Sequence, residues 1–142
     1  MARKTLQFTV QDEGRDQGKV FLLRELSASE AERWALRAFL GAASQGIDVP
    51  EDLVHAGMAG LARFGLGFVT KLPWPVAEPL LAEMFACVLI IPNPGNPAIV
   101  RALVEDDIEE VATRVKLRLE VFKLHVGFLQ AAAPSTSDSV TA

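Results

Sequence analysis

The chain has no tyrosine, one cysteine and two histidines in 142 residues. With Cys87 alone, no internal disulfide framework can form, and a reducing compartment fits. His55 and His125 stand in no metal-ligand spacing with each other or with Cys87, so no metal site is expected. There is no long basic run. Fourteen Lys and Arg are interspersed among eighteen Asp and Glu, the net charge is −4 and the pI is about 5.2. A nucleic-acid footprint driven by counterion release is therefore not expected. The longest purely apolar run, Met84 to Ile91, is too short to span a bilayer. The basic start Met1-Ala2-Arg3-Lys4-Thr5 leads into no apolar signal segment. Neither secretion nor a membrane partner is signalled, and the cytoplasm is the expected location.

What the chain does have is apolar surface. Half of its residues are hydrophobic and the mean hydropathy is +0.25, rich for a protein of this size. The excess fits either a well-filled core or an outer face that a partner covers. The length points to a single domain, drawn over 1–130, with 131–142 a small-residue, polar stretch that reads as a disordered tail.

Along the chain, Thr5 to Val10 alternates with Leu6, Phe8 and Val10 on one face, which predicts a half-buried strand. Gln11 to Gly18 reads as a polar, mobile loop, and Lys19 to Leu26 as a second strand, giving an N-terminal hairpin. Ser27 with Glu30 forms a capping box that starts a helix carrying Trp34, Ala35, Ala38 and Phe39, ended near Gly46. A second helix is predicted from Pro50, with Leu53, Gly57, Gly60, Leu61, Phe64 and Phe68 on one side. After the break Pro73-Trp74-Pro75, a helix beginning cleanly near Glu78 carries the apolar stretch Leu80 to Ile91. Pro92 to Pro97 is a loop, and Ala98 to Val104 reads as the first turns of a last helix or a separate short piece.

That last helix has the strongest pattern. Asp106 is placed as its N-cap with Glu109 at N3, and acidic residues favour its positive start. Ile108, Val111, Val115, Leu119, Phe122, Val126 and Leu129 form one stripe, and Leu117, Val121, Leu124 and Phe128 another. Leu117 and Leu119 lie about 200° apart around the helix, so two opposed sides need cover, from the chain itself or from something else. The fold class expected is mainly α, four to five helices with an N-terminal β-hairpin.

No catalytic constellation emerges. His125 on a helix reads as structural, and Cys87 within Phe85-Ala86-Cys87-Val88-Leu89 as a buried, inert thiol. The acidic cluster Glu105 to Glu110 lacks the glycine-turned loop of an EF-hand and sits where a helix start favours negative charge. Gly57, Gly60, Gly65 and Gly67 follow no strand and precede no Lys-Ser/Thr pair, so they make no phosphate cradle. Trp74, between two prolines, is a hinge anchor or an exposed contact.

Several segments, taken in order, resemble the tail assembly chaperones of long-tailed phages and prophages. They are Gly18-Lys19 and Arg24 to Ala35, Gly57 to Ala62, Leu80 to Met84 with Cys87, and Asp107 to Arg114 followed by Leu117-Arg118, Val121-Phe122, Leu124-His125 and Phe128. The resemblance spans about Gly18 to Gln130 and implies a non-enzymatic role without cofactor or metal. Proteins of that family bind the tape measure protein, assist tail tube assembly around it, and leave the finished virion. It implies tape measure protein and tail tube protein as partners, action in the host cytoplasm, and room for a homo-oligomer. The partner-binding residues expected from the apolar pattern are Trp74, Leu117, Val121, Leu124 and Phe128. The competing expectation is a structural virion component, a head–tail connector or tail terminator.

Overall fold

The Leu6, Phe8, Val10 alternation forms strand β1 (Thr5–Thr9), and β2 (Val20–Arg24) returns antiparallel to it, Phe8 opposite Phe21. The structure, a computed structural model, describes residues 3–48, 51 and 71–141, and side chains as far as Val126. The second helix expected from Pro50, with Gly57, Gly60 and His55, lies outside the described residues.

The remaining elements are α1 (Ala28–Ser44), α2 (Trp74–Phe85), β3 (Val88–Ile91), β4 (Arg101–Ala102), a 3-10 turn over Glu105–Asp107, and α3 (Val111–Thr141). Strands β1 to β4 form one antiparallel sheet in chain order. The expectation of a mainly α fold with four to five helices is therefore corrected: three helices among the described residues accompany a four-stranded sheet. The physical reason lies at Val88 to Ile91. Strand β3 lies between β2 and β4, and Val88, Ile90 and Ile91 are all buried. A strand covered on both faces reads as an unbroken apolar run, which periodicity cannot tell from buried helix. Of the two expectations for Ala98 to Val104, the separate short piece holds, because Arg101–Ala102 pairs with Ile90 and Leu89 instead of opening the last helix.

The chain divides into two compact units, residues 1–25 with 82–124, and 26–81 with 125–142. In the first, Phe21, Leu23, Val88 and Ile90 are buried on one face of the sheet, and Leu6 continues that face to the edge strand, where it is 41% exposed. The Val10 amide donates to Lys19 O and the Gly18 amide to Val10 O, so two residues face one. Gly18, at φ +86°, supplies the left-handed conformation this glycine bulge needs.

In the second unit the capping box forms as expected: the Ser27 hydroxyl accepts from the Glu30 amide, and the Glu30 carboxylate accepts from the Ser27 amide. Helix α1 ends in a Schellman turn, the Gly46 amide donating to Ala43 O and the Ile47 amide to Ala42 O, with Gly46 at φ +79°. Trp34 is fully buried and its Nε1–H donates to Leu80 O at 2.9 Å. Helix α2 begins at Trp74, earlier than expected, because Pro73 O accepts the Val76 and Ala77 amides and Pro75 sits in the first turn, where no amide is needed. The bounds of α3 take in residues 131–141. No helix among the described residues is long and apolar enough to cross a membrane.

Candidate functional site

The loop expected to be a mobile hairpin tip is tied down through Asp16. Its carboxylate is buried and accepts the Glu109 amide at 3.0 Å, the Glu110 amide at 3.0 Å, the Lys19 ammonium at 2.9 Å and the Thr113 hydroxyl. Burial alone would push this carboxyl up. The amides of Glu109 and Glu110 and the Lys19 and Thr113 side chains outweigh it and hold the group down at about 2. Asp16 thus satisfies the open amide donors before Val111, a task the sequence had placed on Asp106. The Asp107 carboxylate instead accepts from the Val104 amide and pairs with Arg101 through two 2.8 Å bonds.

The acidic cluster around this helix start meets cations at each of three positions. Glu109 pairs with Lys19, Glu110 with Arg15, and Asp107 with Arg101. Lys19 also donates to Asp107 O, and its pKa is raised, burial working against its two carboxylate partners. Among the described residues, no group of three or more His, Cys, Asp or Glu is arranged to hold a metal ion. A cleft of about 440 Å³ lies alongside, lined by Lys19, Val20, Ile90, Ile91, Arg101 and Asp107 among others. Its two cations, Lys19 and Arg101, are committed to the ion pairs just described, and the Asp106 carboxylate also lines the space.

With its start fixed, α3 has a defined rotation. Thr113 turns toward Asp16, and Leu117 and Val121 follow at four-residue steps, both fully buried. The opposite row, Val111, Val115 and Leu119, is 76%, 56% and 43% exposed. The row is then interrupted, since Phe122 and Val126 are buried. Arg114 and Arg118 border it and stack on Phe85, 4.0 and 5.1 Å from the ring centroid. Burial and the neighbouring Arg114 both lower the pKa of Arg118.

The expected partner-binding residues are thus placed differently from one another. Leu117 and Val121 belong to the core, because the Asp16–Thr113 contact turns their side inward. Leu124 is half-buried, and the Phe128 side chain lies outside the described residues. Trp74, in the other unit, is 63% exposed. The exposed row, Val111, Val115 and Leu119, is legible in the apolar pattern, but sequence alone does not distinguish which of two opposed rows faces out. His125 is buried and its Nε2 accepts the Leu26 amide at 2.9 Å, a structural use. Cys87 is buried, with its thiol donating to Glu83 O. No protein-family model, curated protein or solved structure matches the chain.

Proposed function

We propose that this chain is a non-enzymatic tail assembly chaperone, which binds the tape measure protein in the host cytoplasm, assists tail tube assembly and is left out of the mature virion. The observation that carries the reading is the row Val111, Val115, Leu119, three large apolar side chains at four-residue spacing, exposed on a helix whose start is pinned by a buried carboxylate. An exposed helical stripe of this kind suits the apolar stripe of a long helical client, which aggregates when bare. Binding by mass action alone keeps such a client in solution. Trp74 is a separate contact candidate on the other unit. The ordered set of segments from Gly18 to Phe128 supplies the resemblance, and the row supplies a physical means.

The test is co-expression with a long helical tape measure protein of a long-tailed phage or prophage, taken from the genome that encodes this chain. The wild-type chain is expected to shift the client into the soluble fraction. The double variant Val115→Lys/Leu119→Lys should keep its circular dichroism and lose that effect. A client equally soluble with wild type, double variant and no chaperone would end the proposal.

A further inference from the structure

The geometry points to the open edge of β1 as a self-association surface that joins two copies of this chain through antiparallel strand pairing. The Val10 amide donates to Lys19 O and the Glu25 amide to Lys4 O. These bonds fix the parity of the ladder: even-numbered residues of β1 turn their peptide groups toward β2, and Thr5, Gln7 and Thr9 turn theirs outward. All three are exposed, and β1 is the first strand of the sheet.

The two sheet edges are not alike. Strand β4 is two residues long, carries Arg101 and follows the prolines 92, 94 and 97, the usual devices that keep an edge from pairing. Strand β1 is five residues long and has no charge, no proline and no bulge within Thr5–Thr9. Leu6, 41% exposed, extends the buried face of the sheet out to that edge, where an added strand would cover it.

Charge selects the occupant. The strand is basic before it, at Arg3, and acidic after it, at Glu13, while the neighbouring Lys4 and Asp12 are already paired with Glu25 and Lys116. Arg3 and Glu13 are both exposed. An antiparallel second copy lays the basic end of each strand against the acidic end of the other, whereas a parallel copy sets like against like. A two-fold axis at Phe8 pairs Gln7 with Thr9 of the second copy, sets Phe8 against its own equivalent, and places Arg3, just before each strand, at the end of the other strand where the chain bends through Glu13.

Sedimentation of the full chain across a concentration series tests this, together with amide hydrogen exchange at both ends of the series. The expected result is a species of two 15.4 kDa chains, with Thr5, Gln7 and Thr9 amides slowed as it forms. Gln7→Pro removes an outward donor without touching the β1–β2 ladder and should leave a folded monomer. Glu13→Arg should weaken association about tenfold at low salt, and Arg3→Glu/Glu13→Arg should restore it. A wild-type chain that stays monomeric overturns the proposal. So does a dimer that survives Gln7→Pro, or one whose edge amides exchange as freely as in the monomer. If Gln7→Pro fails to fold, the charge variants decide, and a dimer indifferent to both is equally fatal.

Discussion

Replacing Asp16 by Asn tests whether one buried carboxylate sets the start of α3. The group holds two backbone amides, an ammonium and a hydroxyl, and its pKa is lowered from 3.8 to about 2. For a carboxylate with a depressed folded pKa, the stabilisation is fully present above the unfolded value, near 4, and is lost as pH falls through the folded value, near 2. A shift of that size corresponds to about 2 kcal/mol. Asp16→Asn removes the charge and turns an amide donor toward donors, and leaves Lys19 to Glu109 and Asp107 O. At pH 7 the cost should be about 3 kcal/mol, the ionic stabilisation plus a mismatched buried hydrogen bond. Urea titrations of both proteins at pH 7 and near pH 2, followed by circular dichroism, read the difference directly, and titrations common to both cancel. The gap should narrow by about 2 kcal/mol on acidification. A loss below about 1 kcal/mol at pH 7, or a gap indifferent to pH, would refute the assignment.

Leu117→Ala should cost roughly 3 kcal/mol in the same titration, because Leu117 is fully buried, whereas Val115→Ala on the exposed row should stay within about 0.5 kcal/mol. A larger loss at Val115 than at Leu117 would mean that the two sides of α3 are assigned the wrong way round, and equal losses that neither side is the buried one. Trp34→Phe deletes the donor to Leu80 O and should cost about 1–2 kcal/mol, seen as a lowered urea midpoint; an unchanged midpoint would show that the bond contributes nothing net.

The legible parts of the fold are those whose determinants lie within a few residues of one another. Leu6-x-Phe8-x-Val10 specified a strand, and Ser27 with Glu30 specified a helix start, because period and cap are local. Strand β3 was hidden because a strand inside a sheet loses its alternation. The Asp16 anchor was hidden for a different reason. Its partners Glu109 and Glu110 are more than ninety residues away, and an Asp in a glycine-containing loop carries no mark of a distant helix start. The candidate surface inherited that gap: both rows of α3 were visible in the pattern, but the rotation that hides Leu117 and shows Val115 is set by Asp16 and Thr113, a long-range contact.

The size of the exposed row limits how it can work. Covering a fully exposed Val or Leu is worth roughly 1.5–3 kcal/mol; with Val111, Val115 and Leu119 already partly covered, the row offers a partner roughly 3–5 kcal/mol in all. Micromolar binding needs about 8 kcal/mol after the cost of association is met. One row therefore falls short, and the interaction has to be repeated. The proposed client, a long tape measure helix with a recurring apolar stripe, would be a repeating ligand. Two copies joined along β1 would offer it two rows on one body, so that the second contact forms at high effective concentration. Weak rows used in pairs also release easily, which suits the proposed role, in which the chain gives way to tube subunits. On this argument the two proposals are coupled, and Gln7→Pro, far from the α3 row in sequence, should weaken client solubilisation while the row itself stays intact.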